Sequence, residues 1–386
     1  MIIKICLSVT TLIFFLDDSR ISCAGIGHVF DITNKLLGKS LKRFLPFDMS
    51  SSYGLMKDLT YIKTKVGKLQ NSSGNIQNAI LAETESLLKE TVLPFPAVTD
   101  EDIHFYHPQS ENGEFTLEEL SETQGKLFFI VHGWNEDISD AEWCRKLAMS
   151  LTNVFKKSEV VLVDWGSSSN KYLYPLAALR TKTIGKLIAN RITELVEKHC
   201  FPLEDIIFIG YDLGAHVCGH VGRFFAETNN KKLPEIIGLD PSALLFEGRN
   251  PEERLDETDA EIVMVVHSET SMVGVKECGT IDFYPNGGSD QPGCMKWNLL
   301  CNHQRSYQLF TAAISDPEKF PTMECNSSNE YEEKGCEDSD VYFGNIMEKS
   351  KGKYYFATTD KEPFYQRTKS RINPLNWSIR NILHNK

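Results

Sequence analysis

The stretch Phe208-Ile209-Gly210-Tyr211-Asp212-Leu213-Gly214-Ala215-His216 constrains this chain more than any other. An apolar run, Ile206 to Ile209, feeds a G-x-D-x-G pentapeptide, and a helix-compatible segment, Ala215 to Phe225, follows. Strand, glycine-flanked turn and helix in that order predict a sharp reversal in which helix and strand pack closely. Gly210 and Gly214 suit such a turn because a side chain at either place would crowd it. The residue between them is thrust out at the end of the strand, and here that residue is Asp212. A plainer alternative is a strand-to-helix turn whose glycines serve packing alone, and the pentapeptide by itself does not separate the two.

From Ile103 onward, short apolar segments alternate with segments of helix length. The expected strands are Ile103–Tyr106, Leu127–Val131, Val160–Val163, Ile206–Ile209, Ile236–Leu239, Ile262–Val266 and Ile281–Tyr284. The expected helices are Asp140–Asn153, Leu173–His199, Ala215–Ala226 and Gln304–Ala313. This alternation predicts an α/β fold with a mainly parallel sheet and helices on both faces. The 386 residues suffice for one such domain plus an extension, and no internal repeat or low-complexity tract interrupts them.

The amino-terminal part reads differently. Residues 1–24 have the form of a secretory signal: Lys4, an apolar stretch from Ile5 to Leu16, and small residues at Ser22-Cys23-Ala24. An uncleaved anchor is the rival, but the apolar run is short for a bilayer. Residues 25–98 form an extension in which Ile32, Leu36, Leu37, Leu41, Phe44 and Leu45 recur at helical spacing beside Lys35, Lys39, Lys42 and Arg43. Such a helix packs on its own domain, or lies on a membrane or a partner. Pro94 and Pro96 then break the chain, and residues 99–386 are expected to form the main domain.

No other run is long enough to span a membrane, so a secreted protein is expected. A net charge of -12 disfavours nucleic acid as a partner. Of ten cysteines, Cys6 and Cys23 would leave with the signal. Cys144, Cys200, Cys218, Cys278, Cys294, Cys301, Cys325 and Cys336 remain, an even set that suggests disulfides. No C-x-x-C pair points to a metal, and none is assigned; no cofactor is expected either. Sequons stand at Asn71, Asn326 and Asn376, and all three are expected to carry glycans if exposed.

Three further stretches give the pentapeptide its meaning. Val131-His132-Gly133-Trp134 closes one apolar run, Gly238-Leu239-Asp240-Pro241 closes another, and Cys301-Asn302-His303-Gln304-Arg305-Ser306 lies beyond. Elbow residue, then Asp, then His is the chain order of α/β-hydrolase triads. Together with Val161-Leu162-Val163-Asp164-Trp165, Arg254-Leu255-Asp256, Asp259-Ala260, Asp282-Phe283-Tyr284-Pro285-Asn286-Gly287-Gly288 and Gln291-Pro292-Gly293-Cys294, these motifs resemble the animal, pancreatic-type lipase family. That family includes venom-type phospholipases A1 and the lipase-like yolk proteins of flies. The resemblance runs from about Ile103 to about Phe364.

The resemblance implies an α/β-hydrolase fold, with no room here for the separate C-terminal β-sandwich of the pancreatic type. It implies His303 as base, Asp240 as its orienting acid, and the backbone N–H groups of Trp134 and Leu213 as oxyanion donors. His132 would be structural. The pairs Cys294 with Cys301 and Cys325 with Cys336 match positions the family bridges. The first pair encloses a lid of only six residues, with Trp297, Leu299 and Leu300 facing lipid or covering the cleft. Arg254, Asp256 and Asp259 match a segment that holds calcium in some relatives, or else form a solvated turn with a salt bridge.

The departure from the family is Asp212, at the place of the nucleophilic serine. A carboxylate attacks an ester carbonyl poorly, and its tetrahedral adduct expels the carboxylate before the alkoxide. Its charge would also compete for the oxyanion donors. Three readings follow. The first is a secreted lipase-fold protein that has lost lipase activity and binds lipid or fatty-acyl ligands or protein partners. The second is a working carboxylic ester hydrolase of lipase or phospholipase A1 type. The third is an Asp-nucleophile hydrolase acting at an sp³ carbon, although no cap domain is evident.

Overall fold

The structure, a computed structural model, describes residues 97–365 except 110–112, 121–124, 170–173, 199–200, 272, 276, 296–297 and 334. All described residues belong to the second of two compact units, Pro96–Lys386. The expected signal, nearly all of the extension with its basic amphipathic helix, Asn71, Cys200, Trp297 and Asn376 lie outside the described residues.

Eleven strands form one sheet among the described residues. They are β1 (His104–Tyr106), β2 (Glu114–Phe115), β3 (Leu127–Val131), β4 (Glu159–Asp164), β5 (Ile206–Tyr211) and β6 (Leu233–Leu239). There follow β7 (Ala260–Val266), β8 (Ile281–Pro285), β9 (Pro321–Glu324), β10 (Glu337–Tyr342) and β11 (Gly352–Phe356). Their order is β10-β9-β11-β8-β7-β6-β5-β3-β4-β1-β2. The block from β11 to β4 is parallel throughout, while β1 and β9 pair antiparallel at its two borders. The helices that cover it include α1 (Glu142–Val154), α2 (Gly166–Ser169), α3 (Tyr174–Lys198), α4 (Leu213–Asn229) and α5 (Leu299–Ile314).

Every residue of β3 and β5 is buried, because the strands are covered on both faces. The alternation of strand side chains divides the core into two layers. Phe129, Val131 and Phe208 pack in one layer with Ile184 of α3 and Val217 of α4. Phe128, Ile130, Ile207 and Ile209 pack in the other with Leu147 of α1 and Phe310 of α5. The parallel α/β-hydrolase architecture is therefore the one expected.

Two differences matter. Strands β9, β10 and β11 extend the sheet beyond β8 and were not expected. β9 reads Pro-Thr-Met-Glu and β10 Glu-Asp-Ser-Asp-Val-Tyr, so neither offers the apolar run by which a buried strand is recognised. Helix α5 begins at Leu299, five residues before the expected Gln304, so His303 lies inside the helix. The Asn298 side chain caps this end by accepting from Cys301 N–H at 3.2 Å.

The disulfides Cys294–Cys301 and Cys325–Cys336 are both present. Cys144, Cys218 and Cys278 are free and buried. Asn326, beside Cys325, is exposed.

Candidate functional site

The site forms at the carboxyl ends of the central strands, near the point where strand order reverses about β3. Open parallel sheets leave their crevice there. β5 ends at Tyr211, α4 starts at Leu213, and Asp212 forms the whole turn between them with φ 55° and ψ -120°. A non-glycine residue in this region costs on the order of 1–3 kcal/mol, which the packed strand and helix on either side must offset. The flanking glycines are obligatory. A Cβ on Gly214 would lie 2.4 Å from the carbonyl oxygens of Val131 and His132, and one on Gly210 would lie 2.3 Å from the Gly214 carbonyl oxygen.

The loop after β3 closes on the elbow. Gly133 brings it in, since a Cβ there would sit 2.9 Å from Asp212 Cβ. The Trp134 N–H then donates to Asp212 Oδ2 at 2.8 Å. The Leu213 N–H also bonds the Asp212 carboxylate. The two backbone donors expected to form an oxyanion hole are thus brought together, and the Asp212 side chain occupies them.

Asp240 follows β6, and its N–H donates to the Val266 carbonyl at 2.7 Å. Its Oδ1 accepts from the N–H groups of Ser268 and Glu269, at 2.7 and 3.0 Å. Its Oδ2 faces His303 Nδ1 at 2.6 Å. His303 Nε2 faces Asp212 Oδ1 at 3.2 Å. One imidazole therefore bridges two carboxylates, with Asp212 7% and His303 4% exposed.

The electrostatics follow from this bridge. Burial alone would strip the proton from His303, but hydrogen bonds and charge from Asp212 and Asp240 carry its pKa up to about 10. Burial alone would raise the Asp212 carboxyl. The His303 hydrogen bond and charge, with the N–H groups of Trp134 and Leu213, outweigh burial and hold it below the ordinary carboxylate range. The site thus favours an imidazolium at His303, placed between the Asp212 and Asp240 side chains.

Several residues that shape the site were not singled out from the sequence. Glu136 accepts from Gly133 N–H at 2.9 Å and from the Trp143 indole at 3.3 Å, so it ties the Gly133-Trp134 loop to α1. Tyr211 packs on the His303 ring at 4.7 Å and meets Trp143 and Tyr307 edge-on. Tyr174 meets Trp134 edge-on at 5.2 Å and bonds Ser242 and the Leu244 carbonyl through its hydroxyl. An aromatic placed directly after a strand glycine and before the elbow residue, as Tyr211 is, was the one available signal.

The remaining expected residues are placed as follows. His132 is buried beside Asp164 and the Trp165 backbone, a structural position. Asp256 pairs with Arg254 at 3.2 Å, and Asp259 pairs with Arg223 while accepting from Asp256 N–H. No group of three or more His, Cys, Asp or Glu among the described residues is placed to hold a metal ion. In the short lid Met295 is 76% and Leu300 62% exposed, while Leu299 is half-buried.

Comparison with known proteins places this geometry. Mouse Lipase member H is 39% identical over 218 residues, covering 55% of this chain and 47% of the mouse protein. Xenopus laevis Lipase member H-B is 32% identical over 314 residues, covering 75% of this chain and 65% of the relative. Lipoprotein lipase of Neovison vison is 30% identical over 318 residues, covering 74% and 62%. The matched part thus spans less than two thirds of each relative's length. The family described as Lipase matches residues 59–371, opening inside the segment expected to be an extension. That match takes in most of the chain, both disulfides and the whole elbow, and the protein belongs to the Lipase family.

Proposed function

We propose that this protein is a secreted, lipase-like protein in which lipase-type ester hydrolysis is blocked at Asp212. It acts by binding a lipid or fatty-acyl ligand in the old acyl site, or a protein partner. The observation that carries this reading is the occupation of both backbone donors by the Asp212 carboxylate. Ester hydrolysis needs an attacking oxygen that can lose a proton, a neutral imidazole to take it, and open donors for the oxyanion. Here the attacking group is already an anion that an acyl adduct would expel. The imidazole is already protonated, and the donors are already filled. Loss of a triad nucleophile costs on the order of 10⁶ in turnover in the subtilisin example.

Secretion is supported by the signal-like residues 1–24 and the two disulfides, which persist in oxidising compartments. The domain plan of that reading is residues 1–24 as signal, 25–98 as extension and 99–386 as the lipase-like domain. Exposed Asn326 fits a glycan acceptor. Among the described residues no helix is long and apolar enough to cross a membrane. Exposed Met295, and Leu300 in the first turn of the helix that carries His303, supply an apolar edge for a lipid ligand.

The test pairs turnover with ligand analysis. Short esters, triglyceride and phospholipid should be hydrolysed no faster than in buffer, and mass spectrometry of native protein should find co-purified lipid. Asp212→Ser should restore measurable ester turnover, because Asp240, His303 and the backbone donors remain. Turnover by the unaltered protein at lipase-like rates would overturn the blocked site in favour of a working lipase or phospholipase A1.

A further inference from the structure

The feature that blocks ester hydrolysis has a different consequence at an sp³ carbon. The two oxygens of Asp212 are not equivalent. Oδ2 accepts from the Trp134 N–H at 2.8 Å, whereas Oδ1 faces His303 Nε2 at 3.2 Å. The Asp212 side chain is 10% exposed, so the carboxylate is not wholly sealed inside the core. A carboxylate that fails at an acyl carbon is a competent nucleophile where the bond to be broken is a strained alkyl C–O bond. An acid positioned beside it, His303 Nε2–H, is what the departing ring oxygen requires.

We propose that Asp212 is a covalent nucleophile toward epoxides, attacking a ring carbon through Oδ1 while Oδ2 stays on the Trp134 N–H. The Oδ1–C bond forms as the ring C–O bond breaks. The electron pair goes to the ring oxygen, which takes the Nε2 proton of His303. Esterification removes one of the two carboxylates that held that proton, so His303 is left neutral and still oriented by Asp240. It then takes a proton from water, and the hydroxide attacks Asp212 Cγ. The charge that develops on Oδ2 meets the Trp134 N–H donor already in place. Collapse breaks the Cγ–Oδ1 bond, and the departing alkoxide is protonated by His303. The Asp212 carboxyl, now carrying the oxygen of water, returns its proton to His303. One epoxide and one water are consumed, and one vicinal diol leaves.

This inference goes beyond the blocked-ester reading and shares with it only the placement of the carboxylate. A medium-chain alkyl epoxide is the probe. The full chain is incubated with decene oxide in water enriched in heavy oxygen, digested, and its peptides are weighed. The expected result is heavy oxygen, or the intact alkyl ester, on the peptide that contains Asp212, together with decanediol. Asp212→Ser should lower diol formation by about 100-fold or more, the scale of a lost nucleophile. Unlabelled, unalkylated Asp212 in the folded, unaltered protein would overturn the proposal, whatever the variant does. So would diol formation unchanged in Asp212→Ser, or alkylation spread evenly over surface carboxylates. Ester turnover is measured separately and bears on the preceding reading alone.

Discussion

His303 and His216 are both buried, at 4% and 0% exposure, and they lie on the two helices that meet Asp212. His216 sits three residues into α4. Its Nδ1 accepts from the Leu255 N–H at 3.0 Å, its Nε2 donates to the Ser242 carbonyl at 2.8 Å, and its ring stacks on Phe246. One proton satisfies both contacts, so the ring is complete when neutral. Burial drives its pKa down to about 4 against the weaker pull of Ser242 and Asp212. His303 is buried almost as deeply, yet two carboxylates drive its pKa up to about 10. Burial sets the cost of charge at both rings, and the partners decide whether it is met. The substitution at position 212 supplies the second carboxylate at His303 and reaches His216 only as a minor Coulombic pull.

The largest effect should come from removing the more deeply buried of the two carboxylates that face His303. Asp240→Ala leaves a buried imidazolium facing only Asp212 and orphans the N–H groups of Ser268 and Glu269. Breaking a buried pair of this kind costs about 3–5 kcal/mol. Urea denaturation near neutral pH measures it, and a loss below about 1 kcal/mol would show that His303 needs Asp240 no more than His216 needs a carboxylate. Next comes the elbow. Gly214→Ala forces a Cβ onto the Val131 and His132 carbonyl oxygens and should cost about 1–3 kcal/mol. Its NMR signature should fall on His303, whose partner Asp212 shifts, more than on His216.

Asp212→Ser should lower the His303 pKa by about 1–3 units, the effect of one close opposite charge. The His216 pKa should stay near 4 in the same titration, an internal control. An unmoved His303 would mean that Asp212 does not face it.

The smallest effect is the shape of the pH profile. His216 has a lowered folded pKa, so its stability is present above the unfolded value of 6.5 and is lost as pH falls through about 4. His303 has a raised one, so its stability is full below 6.5 and is lost as pH climbs through about 10. Thermal unfolding across this range should therefore weaken on both sides of 6.5, and Asp212→Ser should flatten the alkaline side alone. Equal flattening of the acid side would assign that side to Asp212 instead of His216.

Much of the scaffold was legible before any coordinates. Leu127–Val131 was expected residue for residue, because a strand covered on both faces must be apolar throughout and little else in the chain is. The elbow was legible because backbone sterics admit only glycine at positions 210 and 214. The edge strands were not. A strand paired on one side and wetted on the other has no need of the apolar run that marks a central one, and β10 keeps its charges. The start of α5 was missed for a related reason: Asn298 and the Cys294–Cys301 bond begin the helix where apolar spacing does not require it.

The site divides along the same line. The family resemblance, carried by residue types and their order along the chain, was enough to pick out Asp212, Asp240, His303, Trp134 and Leu213 as candidates. What those groups do to one another was decided in three dimensions. Trp134 reaches Asp212 across 78 residues and His303 reaches Asp240 across 63. Tyr211 and Tyr307 gain their roles only through neighbours distant in the chain. The sequence by itself determined that a carboxylate stands where the family places a hydroxyl. Only the folded structure decided that one of its oxygens accepts from the Trp134 N–H while the other faces His303. Hydrogen bonds and Coulombic fields act over a few ångströms of space, and the order of residues along the chain does not encode that distance.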